Sequence, residues 1–361
     1  MLLGPSGLGW VHPGEILDSM SDFGLAALFF MAGNEIDPTS LRGKPGKRAL
    51  GWWVLSAVLA IGAGFAVGPD PAAAVIIAIA LTGTALGTIM PILRDAGLIP
   101  TPLDQGIMRT GAIGEFAPLV AITVVLSGLQ PLVGTLVLVV FVGIAALAFW
   151  YAGRNTHAWL NRMVSVTLHT SGQFAVRFVL LLLVALVSLA LVLGVDFLLG
   201  AFVAGMLARV MLRGTDPVEK HVVEAKIDSV AFGFLVPVFF ISTGVAFPLT
   251  ALLGDTSALA LIPVFLLIMM AVRGVPGWFG AGSGVSLSDR RSAALFTATS
   301  LPIVIAATGI GTDHGVLSEH TAAAMVGAAL LTVLLFPALA LVGRRDPEPL
   351  AEPAAHASDH E

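Results

Sequence analysis

Long apolar runs broken by short polar interruptions fill this chain from its first residues to about residue 343. Stretches such as Ala72 to Leu93 and Ala258 to Val272 carry no charge, and they approach the roughly 20 residues that a bilayer's hydrocarbon core demands. Lipid offers no partner to an open backbone, so such runs are expected as helices. Glycine, proline and charge punctuation places spans at 15–34, 48–67, 72–93, 104–127, 131–152, 172–193, 196–212, 226–246, 258–279, 291–311 and 319–343. The pattern predicts an all-α polytopic membrane protein with about eleven transmembrane helices. Residues 1–345 form the membrane domain, its halves joined by an interfacial linker over 154–169 that sets Trp159 and Leu160 among Arg and His. The acidic, Pro- and Ala-rich tail over 346–361 is expected to be disordered.

Composition agrees: 57% of the residues are hydrophobic and 11% charged, with a mean hydropathy of +0.95. No water-soluble fold accommodates that balance. The 40 Gly and 21 Pro suit membrane helices, where Gly permits close contact and Pro permits breaks that line a cavity. There is no cysteine, which excludes disulfides and thiolate metal sites. The eight His lack the His-Glu-x-x-His spacing of a metalloprotease, and no Gly-x-x-x-x-Gly-Lys loop is present. Paired aspartates within spans are also missing. The chain therefore reads as a non-enzyme without a cofactor, with no nucleic-acid partner.

Positive charge is one-sided along the spans. Alternate connections hold Arg42, Lys44, Lys47 and Arg48; Arg94 and Arg109; Arg154 and Arg162; Arg209, Arg213, Lys220 and Lys226; Arg290 and Arg291; Arg344 and Arg345. Cytoplasmic loops retain Lys and Arg, so the expected topology is an outside N-terminus and a cytoplasmic C-terminus in the cell membrane. Arg177 lies within snorkelling reach of that surface, which leaves Arg273 as the exception. A weak repeat relates Thr82-Gly-Thr-Ala-Leu86 in the third span to Thr297-Ala-Thr-Ser-Leu301 in the tenth, in opposite directions. With Gly83, Gly87 and Pro91 facing Pro302 and Gly309 as interruptions, this is the expectation for inverted repeats with two broken crossing helices. Simple recurrence of Thr and small residues in membrane helices is the alternative.

Glu115 lies in Thr110-Gly-Ala-Ile-Gly-Glu-Phe-Ala-Pro118, some eleven residues into its span, hence roughly 16 Å deep at 1.5 Å per residue. An ionisable group at that depth normally faces a cavity, an ion path or a partner charge; the alternative is a protonated carboxyl held for packing. Gly111 and Gly114 thin the same helix face. Arg273 is either a snorkelling guanidinium or a fixed cation that offsets a buried carboxylate, and it cannot carry an exchanged proton. Thr82, Thr84, Thr88, Thr297, Thr299 and Ser300 offer oxygens for a hard cation, or hydrogen bonds to their own helix backbone.

Several stretches together resemble the monovalent cation:proton antiporter superfamily, specifically its second branch with the Kef-type and Nap-type sodium/hydrogen exchangers. They are Leu3-Gly-Pro-Ser-Gly-Leu-Gly9, Gly24-Leu-Ala-Ala-Leu-Phe-Phe-Met-Ala-Gly-Asn-Glu-Ile-Asp37, Leu199-Gly-Ala-Phe-Val-Ala-Gly205 and Val236-Pro-Val-Phe-Phe-Ile-Ser-Thr-Gly244. The resemblance implies an NhaA-like antiporter fold, a homodimer, and exchange of Na⁺ or K⁺ for protons by alternating access. It places the shared proton and transient cation site at Glu115 and makes Arg273 the charge-compensating residue. From the residues themselves, Thr84, Thr82 and Gly114 are expected beside Glu115, and Thr297, Thr299 and Ser300 along the second break. With one titrating carboxylate, electroneutral exchange is expected.

The chain departs from relatives in three ways: Gly114 precedes a Glu where many carry Asp after Asp or Asn, two helical segments usually found ahead of Leu3 are not present, and no nucleotide-binding domain follows. A passive cation channel or uniporter, and a transport-inactive truncated family member, are the rival readings.

Overall fold

A computed structural model describes residues 1–36, 43–99, 101–125, 131–154, 174–212, 216–282 and 285–342. Of the linker expected at 154–169 only Arg154, at the end of a helix, is described; the rest of it and the tail expected at 346–361 lie outside the described residues.

The described chain is helical: α1 (Glu15–Glu35), α2 (Gly43–Val67), α3 (Pro71–Leu81), α4 (Leu86–Asp95), α5 (Pro102–Val125), α6 (Pro131–Arg154), α7 (Phe174–Leu193), α8 (Phe197–Leu212), α9 (Pro217–Val230), α10 (Val236–Ala246), α11 (Leu249–Gly254), α12 (Thr256–Met269), α13 (Val275–Gly280), α14 (Leu287–Ala298), α15 (Pro302–Asp313) and α16 (Glu319–Leu341). Among the described residues, ten helical stretches, two of them interrupted, are long and apolar enough to cross a membrane, and α8 is a shorter apolar helix. These stretches overlap ten of the eleven expected spans; the eleventh, over 196–212, is α8, which is too short to be counted among them. Large side chains such as Leu136, Leu147, Leu181, Val192, Leu267 and Leu334 are exposed, as a lipid-facing surface requires.

Helix starts follow local chemistry. Asp70 accepts from the Ala72 and Ala73 amides, each at 2.9 Å. Pro71 follows it at the head of α3, where its missing N–H costs nothing. Ser286 and Asp289 form a reciprocal capping box on α14, and α7 stops at Gly194, whose φ of 73° suits glycine.

Two spans widen into π turns, at Ala231–Leu235 between α9 and α10 and at Met270–Gly274 between α12 and α13. Each immediately precedes a proline, Pro237 or Pro276, sited in the first turn of the next helix. A proline ring collides with the carbonyl four residues back and offers no N–H. Widening the preceding turn relieves both problems without ending the helix.

Most of the helices sort into two groups by their packing, with α6 lying against α5 of one and α8 of the other. One comprises α1 and α7–α10, with α1 laid against α8 and α10. A Cβ on Gly33 or Gly205 would strike the backbone of the other helix at Phe202 or Phe30, so α1 and α8 meet backbone to backbone. The other group comprises α2–α5 and α12–α16, in which α3 packs on α2 and α15, and α16 on α12 and α14.

Two spans in the second group are interrupted. The path from α3 to α4 leaves the helix over 82–85, and that from α14 to α15 leaves it over 299–301. Gly83 and Pro302 stand at these breaks as expected, whereas Gly87, Pro91 and Gly309 lie within helical turns.

Candidate functional site

α5 delivers Glu115 to the interior, where the residue is 1% exposed. Its Oε2 accepts the Leu86 amide at 3.1 Å, while Oε1 is buried without a hydrogen-bond partner. Leu86 is the first residue of α4, so the carboxylate caps the free N–H end of a half-helix deep in the protein. Unpaired amides and the helix dipole both favour negative charge there. The break between α3 and α4 thus aims a helix start at Glu115, the acid in the middle of α5.

The second break completes the setting. The Ala85 amide donates to the Thr299 carbonyl at 2.9 Å, and the Thr84 amide to the Gly114 carbonyl at 3.1 Å. Thr84 Oγ1 donates to the Thr297 carbonyl at 2.8 Å. The two interruptions therefore satisfy each other's backbone groups, which lipid could not do. A Cβ on Gly83 would press into Ile303 Cβ at 2.8 Å, so only glycine lets the strands of backbone approach.

Arg273 projects from the π turn and is 1% exposed, which rules out snorkelling in this conformation. Its Nε donates to Thr84 Oγ1 at 3.0 Å, and Nη2 also donates to that oxygen. Nη1 donates to Ser56 Oγ at 3.2 Å and Nη2 to the Thr110 carbonyl at 3.4 Å. No ion pair joins Arg273 to Glu115: the guanidinium lies against Gly114, next to the acid, and is held by hydroxyls and carbonyl. Ser56, on α2, was not singled out from sequence, because a lone serine in an apolar run carries no signal.

The other hydroxyls divide. Thr297 Oγ1 donates to its own helix at the Ala293 carbonyl (2.7 Å), Thr299 Oγ1 to Leu295 (3.0 Å), and Thr82 Oγ1 to the Ile79 carbonyl (2.8 Å). Thr82 and Thr299 bond only to backbone of their own helix, while Thr297 Oγ1 also reaches the Arg273 carbonyl at 3.3 Å. Ser300 Oγ and Thr88 Oγ1 are buried without partners, and a Cβ on Gly83 would sit 3.0 Å from the Ser300 oxygen, which places it at the break. Among the described residues no group of three or more His, Asp or Glu could hold a metal ion. Glu115 is thus a lone carboxylate donor at the start of α4, with the unpartnered Ser300 hydroxyl beside Gly83 at the breaks, chemistry suited to a weakly held hard cation rather than a resident metal.

A second polar group links the two helix groups. Arg94, on α4, donates to Glu35 on α1 at 2.7 Å and to Asp228 on α9 at 2.8 Å. Arg209 on α8 donates to the Asn34 carbonyl at 2.7 Å. Together with Lys220, His221 and Glu224 these residues line a cavity of about 480 Å³. Glu35 and Asp228 read from sequence as ordinary interfacial charges, since partners 59 and 134 residues apart leave no local trace.

Known proteins share this frame. Residues 1–341 match the family described as sodium/hydrogen exchanger, transmembrane. The chain belongs to that family. That family is one of multi-pass membrane transporters, not of enzymes. YjbQ of Bacillus subtilis (strain 168) is 26% identical over 356 residues, covering 93% of this chain and 56% of YjbQ, so the chain spans about half the length of that relative. The Na(+)/H(+)-K(+) antiporter GerN of Bacillus cereus is 25% identical over 352 residues, 93% of this chain and 86% of GerN. The fold matches that of the sodium proton antiporter MjNhaP1 from Methanocaldococcus jannaschii, with a TM-score of 0.60 and 15% identity across 94% of this family member and 88% of the other chain.

Proposed function

We propose that this chain exchanges a monovalent cation, Na⁺ or K⁺, for protons across the cell membrane, with Glu115 binding one or the other in turn. The observation that carries the reading is the half-satisfied carboxylate. Its Oε2 faces the amide end of α4 while Oε1 has no partner, in a buried place where two broken helices meet. A fully bonded carboxylate would have no site to offer, and one with no donors could not ionise there. Thr84 and Gly114 position Arg273, whose fixed charge offsets the carboxylate when neither ion is bound, leaving both loaded forms with the same net charge. Thr82, Thr297, Thr299 and Ser300 shape the breaks, Ser300 with a free oxygen for the ion.

Alternating access is the supported route: the group with the breaks and Glu115 moves against the group built on α1 and α7–α10, as inverted-repeat transporters do. One titrating acid and a permanent cation give one ion per proton and no net charge moved. GerN's name pairs Na⁺ and K⁺ with H⁺, which agrees with either ion here. The one-sided Lys and Arg distribution supports an outside N-terminus, and the family resemblance supports a homodimer.

The test is exchange in proteoliposomes across Li⁺, Na⁺, K⁺ and Rb⁺. The parent should dissipate an imposed pH gradient with at least one of them, and Glu115→Gln with none. Cation flux through the parent without counter-movement of protons would point instead to a channel.

A further inference from the structure

Apart from the charged cavity at Arg94, a second one opens between the ends of α2, α5 and α13. It measures about 250 Å³ and is lined by Lys44, Arg48, Arg109 and Thr110 among small residues and bare backbone at Gly106, Gly280 and Gly282. The two cavities differ in charge. Around Arg94 the cations face Glu35, Glu224 and Asp228 and largely neutralise one another. Around Arg109 three cations line the walls with no carboxylate among the lining residues.

Their bonds are also unspent. Arg109 Nη2 donates to Gln105 at 2.9 Å, but its Nε is buried with no partner. Lys44 and Arg48 enter no ion pair with a described residue. Gathering three like charges with a buried, unanswered N–H costs free energy unless an anion comes in. The first turn of α2, where Lys44 lies, adds the positive end of a 25-residue helix. The Gly282 carbonyl, which would repel an anion, is taken by Arg290 at 3.2 Å.

We propose that this cavity binds a phosphate group, the one on the headgroup of an anionic phospholipid at the membrane surface. Its position suits that ligand, because three helix ends meet here and one-sided basic residues mark the leaflet whose surface is negative. The occupant would also be felt at Glu115. Thr110 lines the cavity and its carbonyl accepts from Arg273. The α2 helix carries both Arg48 and the Ser56 that holds Arg273, and α5 carries both Arg109 and Glu115. A phosphate that clamps these helix ends therefore fixes the frame of the carboxylate site. The proposal concerns binding, and stands or falls apart from the exchange reading.

The experiment uses the full chain in detergent, with lipid retention followed by native mass spectrometry and by the shift in unfolding temperature. The probes are phosphatidylglycerol, phosphatidylcholine and inorganic phosphate, and the variants are Arg48→Gln/Arg109→Gln and Lys44→Gln/Arg48→Gln. The second pair consists of exposed side chains, so it serves if Arg109 is needed for folding. Lys220→Gln, from the self-neutralised cavity, controls for loss of charge. The parent should prefer phosphatidylglycerol to phosphatidylcholine, and each double variant should weaken it about tenfold, the worth of one charge-assisted bond. Lys220→Gln should leave it unchanged. Tight inorganic phosphate lost in the same variants would confirm the site and assign its source to solution. Equal retention of every probe by parent and double variants would overturn it.

Discussion

The guanidinium of Arg273 fills the space that any side chain at Gly114 would need. A Cβ built there would overlap Nη2 and stand 3.0 Å from Thr84 Oγ1. The residue before the carboxylate is thus a glycine because the charge beside that carboxylate comes from another helix.

Gly114→Ala should therefore displace Arg273 and break its bonds to Thr84. Overpacking of this kind costs about 1–3 kcal/mol. Thermal unfolding should show that loss, and proteoliposome exchange should fall with it. Full exchange by Gly114→Ala would mean that the guanidinium is free to lie elsewhere.

Arg273→Lys tests the fork rather than the charge. A lysine keeps the cation but cannot reach Thr84, Ser56 and the Thr110 carbonyl together. The variant should be less stable by about 1–3 kcal/mol, through buried acceptors left open. Exchange should slow without any new dependence on membrane potential. In the parent, clamping the potential should leave steady exchange unchanged, and a voltage-driven rate would refute one-for-one electroneutral transport.

Arg94 ties α4 to α1 and α9, so it must let go if the two helix groups slide. Its side chain is 50% exposed, and such bridges are weak, about 1 kcal/mol together after screening. Arg94→Gln should hardly change the unfolding temperature, yet shift the balance of conformations by about fivefold. Labelling of single cysteines placed around the cavity near Asn34 would read that shift. An unaltered labelling pattern would leave the tie without a part in access.

Asp255 offers a pH test outside the spans. The Ser257 and Ala258 amides, and then His320 at 3.1 Å, hold its carboxyl below the ordinary value of 3.8. A folded-state value below the unfolded one contributes stability above the unfolded value and loses it as pH falls through the folded one. Asp255→Asn should therefore unfold at lower temperature than the parent near neutral pH, and the gap should close in strong acid.

The sequence showed what depends on local pattern. Spans, the breaks at Gly83 and Pro302, and the submerged Glu115 and Arg273 all follow from hydropathy and from what lipid forbids. The π turns left a weaker mark, Pro237 and Pro276 inside apolar runs. What stayed hidden depends on distant parts of the chain. Arg273 answers to Thr84 and Ser56, 189 and 217 residues away, and no spacing rule connects them. Glu115 meets the amide of Leu86 because α3 stops where it does, and that meeting appears only once α5 is packed against the break. Thr299, by contrast, does what isolated helix chemistry would have it do.

The central claim is that Glu115 holds a proton or a metal cation but not both. Proton release from the purified protein on addition of Na⁺ or K⁺ to weakly buffered detergent solution measures this competition directly. The parent should release up to a single proton per chain, saturating with the cation, and Glu115→Gln should release none. Equal release from both proteins would contradict the account.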